Sequence, residues 1–134
     1  MQPLIDIQSH TLFHPVLTTC SDAECRDEIV TSKKDVECLT GKSCEHFAYP
    51  NGDYEERELD YVREAGYASA RTLDAGWNDG KTDPYRLKAV IVSDDASVNL
   101  LAAQMTNLPA YFRYLKQGSL KGKYPVIDLK KEKE

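Results

Sequence analysis

The sequence predicts an α/β domain with a mostly parallel sheet and helical crossovers. Three observations carry that expectation. Short apolar runs alternate with segments of helical periodicity, in the order β-α-β-α-β-β-α. Helix starts and stops stand between the runs, from the Ser21-Asp22-Ala23-Glu24 capping box to the stop glycines Gly41 and Gly66. At 134 residues the chain fits one domain and can bury a core of ordinary size.

The elements follow in chain order. Leu4 to Gln8 reads as a buried strand, and a loop with His10 and His14 follows it. Ser21 and Glu24 can satisfy each other's backbone N–H groups and open a helix. Cys25, Ile29, Val36 and Leu39 form its buried stripe, and Gly41 ends it. His46 to Tyr49 is the next strand, stopped by the turn Pro50-Asn51-Gly52. A second helix runs from about Glu55 to Ala65, with Leu59 and Val62 inward and Gly66 as its stop. Tyr67 to Thr72 is a third strand. The polar loop from Leu73 to Pro84 holds the only tryptophan, Trp77. Leu87 to Val92, nearly all aliphatic, is a fourth strand. Asp94 or Asp95 introduces a helix over Ser97 to Thr106, with Val98, Leu101, Ala102 and Met105 on its buried face. Pro109 opens a short helix, Ala110 to Gln117. A loose tail with one strand, Val126 to Leu129, completes the chain.

Charge and cysteine usage exclude several classes. Seventeen basic against 22 acidic residues leave a net charge of −5, so a nucleic-acid partner is not expected. The basic run Lys130-Lys131-Glu132-Lys133 is interrupted by acid and reads as a frayed tail. No transmembrane segment and no secretory leader pattern is present. The four cysteines, Cys20, Cys25, Cys38 and Cys44, are spaced more loosely than redox or zinc motifs. They read either as free, partly buried thiols or as one or two disulfides, with Cys38 and Cys44 flanking the turn at Gly41.

Two motifs can carry chemistry. The first is His10-Thr11-Leu12-Phe13-His14-Pro15, at the C-terminal end of the first strand. Two imidazoles four residues apart can reach one metal ion, which then needs a further ligand, usually a carboxylate. The second is Phe47-Ala48-Tyr49-Pro50-Asn51-Gly52. A strand that ends in Pro-x-Gly makes a tight turn whose backbone N–H groups can face an oxyanion.

Together with Thr40-Gly41-Lys42 and Glu64-Ala65-Gly66-Tyr67, these motifs keep an order and spacing that resembles the NodB-homology polysaccharide deacetylases, carbohydrate esterase family 4. The resemblance runs from about Ile5 to Val92, roughly two thirds of the chain, and is nearest to the Phe-Ala-Tyr-Pro-x-Gly branch. It implies a distorted (β/α) barrel, present here in part, with the first βα units missing. It implies a metal-dependent hydrolase that removes N-acetyl groups from an amino-sugar polysaccharide or oligosaccharide. His10 and His14 would hold a divalent metal, zinc in many relatives. The Asn51 backbone N–H would help hold the oxyanion and Tyr49 and Pro50 would shape the wall beside it; Trp77 reads either as lining the sugar groove or as a packed core or loop tryptophan.

The pattern also departs from the family. The Thr-Phe-Asp-Asp motif of the family's first strand, with the general base and the third metal ligand, has no counterpart, and Asp94-Asp95 does not match it. The family's arginine falls on Ala48, and the histidine of its Leu-x-His motif is absent near Leu87-Lys88-Ala89. Asp6 and Asp53 are the nearest replacement carboxylates. The expected organisation is a partial deacetylase domain over 1–118 and a tail over 119–134. A homodimer or larger oligomer would bury the open sheet edge. Members of the family are often extracytoplasmic, and a non-catalytic carbohydrate-binding or assembly module is the alternative role.

Overall fold

A computed structural model describes residues 5–90, 92 and 96–105. Among the described residues, three strands form one sheet: β1 (His46–Ala48), β2 (Ser69–Ala75) and β3 (Leu87–Ala89). Their order in space is their order in the chain, and both pairings are parallel. Consecutive parallel strands wound in one direction are the element of a barrel wall.

The helices are α1 (Asp22–Thr40), α2 (Glu56–Glu64) and α3 (Val98–Met105). The capping box of α1 forms as expected: Ser21 accepts from the Glu24 N–H, and Glu24 accepts from the Ser21 N–H. Gly41 closes the helix in the left-handed conformation, φ 64°. A second capping box, not anticipated from the sequence, joins Glu55 and Glu58 at the start of α2.

Strand alternation decides which face the helices cover. Phe47, Tyr49, Ala70 and Thr72 are buried, and Phe47, Tyr49 and Ala70 join Ile29 of α1 and Leu59 and Val62 of α2 in one core. His46 and Arg71, on the opposite face, are exposed. The domain is therefore a helix-backed wall with its other face open. Arg57 ties the two helices together. Its guanidinium pairs with buried Glu58 and Asp22 and donates to the carbonyls of Leu17 and Cys20. A planar fork with five donors suits such a junction.

Several expectations are corrected. Residues 5–8 form no strand, and Ile5 and Ile7 are exposed. Among the described residues of this segment only Ser9 bridges to the sheet, pairing with Phe47. The ladder stops there because the Gln8 side chain, not its backbone, accepts from the Glu45 and His46 N–H groups. In α1 the stripe runs Cys25, Ile29, Ser32, while Leu39 in the last turn is 86% exposed. The third strand lies later than expected, over Ser69–Ala75, and the fourth is shorter, ending at Ala89 with Val92 exposed. Val98, Leu101 and Ala102 of α3 are exposed, since no described element packs over that face. The Asp94/Asp95 cap, the helix over 110–117 and the strand over 126–129 lie outside the described residues.

All four cysteines are free thiols. Burial, with Glu58 nearby, pushes the Cys25 thiol up from 9.0 to about 11. A raised folded-state value means that the neutral thiol favours the fold. This stability is fully present below about pH 9 and is lost as pH rises through about 11. Urea unfolding should lose roughly 2–3 kcal/mol across that window from this group. Cys25→Ala should flatten the fall, and an unchanged slope would count against it.

Candidate functional site

The site forms where the Ser9 segment and β1 end together. Ser9 donates to the His46 carbonyl and accepts from the Ala48 N–H, so residue 10 leaves the sheet beside residue 49. There His10 Nδ1 lies 2.7 Å from the Ala48 carbonyl oxygen. A carbonyl only accepts, so Nδ1 carries a proton, and in the neutral ring Nε2 is the nitrogen with the lone pair. One imidazole nitrogen fixed on a backbone carbonyl with the other free is the usual state of a metal-ligating histidine. His14 packs edge-on against His10, with ring centroids 4.8 Å apart.

The loop between them is tightly specified. Thr11 and His14 both hold positive φ, 67° and 56°. For non-glycine residues this conformation is uncommon and gathers at functional sites. The His14 N–H donates to Thr11 Oγ1 at 3.1 Å. The N–H groups of Leu12 and Phe13 both donate to one carboxylate oxygen of Glu28, at 2.8 and 3.0 Å.

Two residues after Ala48, Pro50–Gly52 forms two overlapping tight turns with a kink at Asn51, whose φ/ψ are not helical. Gly52 donates to the Tyr49 carbonyl and Asp53 to the Pro50 carbonyl, so neither closing bond uses the Asn51 N–H. Asn51 sits at φ 55°, exposed at the tip. Asparagine tolerates this region better than most residues. Pro50 is buried. Tyr49 is a core side chain: its hydroxyl donates to the Tyr85 carbonyl at 3.2 Å and its ring stacks on Tyr54. Burial raises its phenol above the ordinary value. Tyr49 thus supports the turn from behind.

Tyr54 donates to Asp74 Oδ2 at 2.7 Å. Burial first, then this carboxylate, pushes the Tyr54 phenol up to about 12. Asp74 closes the C-terminal part of β2, and Trp77 follows in the next loop, 41% exposed. The Asn78 amide donates to the Lys88 carbonyl and accepts from the Lys88 N–H, and so ties that loop to β3.

The carboxylates named as replacement ligands do not complete the histidine pair. Asp6 accepts from Gln8 and lines an open polar cleft of about 420 Å³ with Gln8, Lys42, Ser43, Glu45 and His46, toward the start of β1. Among the described residues no group of three or more His, Cys, Asp or Glu side chains is placed to hold a metal ion. Two imidazoles match the donor chemistry of a divalent metal and make up half of a four-coordinate set. Sequence reasoning missed Glu28 and Ser32. Their only signal is an i, i+4 spacing beside the apolar stripe of α1.

A parallel three-strand wall backed by helices, with paired imidazoles and a tight turn where its strands end, defines the class: an α/β domain of barrel type whose candidate site lies at the strand C-termini. Likeness to known proteins makes the class particular. A family model for polysaccharide deacetylases matches residues 2–70, just over half of the chain, and the chain belongs to that family. No curated protein matches the sequence.

Among solved structures, it is similar to the deacetylase PplD of Streptococcus pyogenes, described in complex with acetate. That likeness has 23% identity and a TM-score of 0.70, over 73% of this chain and 43% of PplD. The polysaccharide deacetylase BC0361 of Bacillus cereus gives 24% and 0.68, over 75% of this chain and 32% of that one. BA0330 of Bacillus anthracis gives 24% and 0.67, over 74% and 31%. These likenesses establish the fold. The chain spans less than half the length of each of the three.

Proposed function

We propose that this chain carries part of the site of a metal-dependent deacetylase that removes N-acetyl groups from an amino-sugar polysaccharide or oligosaccharide. The observation that supports it most is the His10–Ala48 hydrogen bond. It joins the two motifs across 38 residues and sets an imidazole beside the Asn51 turn. In this reading His10 and His14 hold the ion. When bound, a divalent metal supplies Lewis acidity and a nucleophilic water at neutral pH. Zinc is among the divalent metals that imidazole donors suit. The Asn51 N–H stabilises negative charge on the acetyl oxygen, with Pro50 and Tyr49 holding the turn rigid. Trp77 offers an indole face to a pyranose ring.

The test is acetate release from an N-acetylated glucosamine oligosaccharide by the full chain with added zinc. Release above background supports the reading. The incomplete ligand set favours a second role, a carbohydrate-binding or assembly module. Glycan binding without acetate release would select that role.

The same reading includes self-association. Ile5 and Phe13 are 74% and 85% exposed, next to the single bridge at Ser9. Unpaired edges with apolar flanks invite strand pairing. A second copy of the chain would cover this edge. Light scattering at micromolar concentration should give at least twice the 15.1 kDa chain mass. A monomer only would refute it.

A further inference from the structure

Helix α1 does more than back the sheet. Two of its polar side chains, Glu28 and Ser32, stand one turn apart and both reach the histidine segment. Ser32 Oγ lies 2.7 Å from Ser9 Oγ and donates to the Ile29 carbonyl. The Tyr67 hydroxyl donates to the same Ile29 carbonyl. Ser9 and Ser32 are both buried. The strand end just before His10 is therefore anchored. Glu28 then takes the two amides in the middle of the His10–His14 loop on one oxygen.

That loop contains two positive-φ residues, one of them the β-branched Thr11. Such conformations cost on the order of 1–3 kcal/mol each and persist only where the surroundings over-determine them. The Thr11 hydroxyl closes the loop locally. From outside the loop, the Glu28 carboxylate binds its two central amides. Hydrogen bonds to an ionised acceptor are roughly twice as strong as neutral ones.

We propose that Glu28 is a positioning residue for the His10–His14 pair. By holding the Leu12 and Phe13 amides, it sets both imidazoles in advance toward one ion. This rests on the metal reading given above. Residues that orient metal ligands from behind typically contribute about 10- to 100-fold to metal affinity.

The experiment compares the full chain with Glu28→Ala, Glu28→Gln and Glu28→Asp. It reads amide hydrogen exchange at Leu12 and Phe13 without metal, and zinc affinity by calorimetry. In Glu28→Ala, exchange at those two amides should rise while β1 amides stay protected, and zinc affinity should fall about tenfold. Glu28→Gln keeps an acceptor and should stay within about threefold of the parent. Glu28→Asp keeps the charge but shortens the reach by one methylene, so it should behave like the alanine variant. It also serves if Glu28→Ala does not fold.

Unchanged exchange would show that Glu28 does not hold the loop. Released amides with unchanged zinc affinity would show that holding the loop does not position the ligands. Either result overturns the proposal. If the parent chain takes up no zinc, the metal reading falls and the positioning role falls with it. The exchange data then still decide whether Glu28 holds the loop.

Discussion

On the proposed metal reading, His10→Ala should lower zinc affinity by about 100-fold or more, because it removes one of the two proposed imidazole ligands. His10 is the better fixed of the pair. Its Nδ1 is committed to the Ala48 carbonyl, so Nε2 is presented as a lone-pair donor with little freedom left to lose on binding. In this variant His14 would be the only imidazole left at the site. Any acetate release by the parent chain should fall to background. The fold should survive, since His10 is exposed and outside the core. Calorimetry with zinc, at matched thermal stability, checks the result. Affinity within about threefold of the parent would remove His10 from the site.

The second large effect is on stability. Gly52→Ala should destabilise the domain by about 3 kcal/mol. Gly52 has φ 67°, and a Cβ there would lie 2.6 Å from Leu73 Cβ and 2.7 Å from the Leu73 backbone nitrogen. The side-chain atom could shift, but the backbone nitrogen belongs to β2. Relief would have to push the turn after β1 away from the neighbouring strand. Gly66 supplies the internal control, with φ 76° and no atom within 4 Å of where an added methyl would sit. Gly66→Ala therefore carries only the left-handed strain, about 1 kcal/mol. Urea unfolding of both variants separates strain from collision. Equal losses would refute the close approach of Gly52 to Leu73.

Much of the fold was legible in the sequence because its signals are local. The Ser21–Glu24 box, the glycine at 41 and the Leu59/Val62 pair each act within a turn or two of helix. Their outcome depends little on distant chain. The first strand, Leu39 and the apolar side of α3 were misread for the opposite reason. An apolar residue is buried only if something covers it. For Ile5, Ile7, Leu39 and Val98 no described element does. Hydrophobic pattern states what a segment can bury, not what is there to bury it against.

The site divides in the same way. Spacing alone marked His10, His14 and the Pro50–Gly52 turn, and their order along the chain marked the family. What chain order could not convey is that Ala48, 38 residues on, supplies the carbonyl that sets the His10 tautomer. Nor could it convey that Glu28 supplies the acceptor for the loop. Both contacts exist only because the Ser9 segment pairs in parallel with β1 and α1 lies across its end. The sequence by itself determined the class of protein and the donor atoms available. The tertiary structure alone decided which of those atoms meet and how firmly they are held. Hydrogen bonds between distant segments depend on geometry that only packing creates.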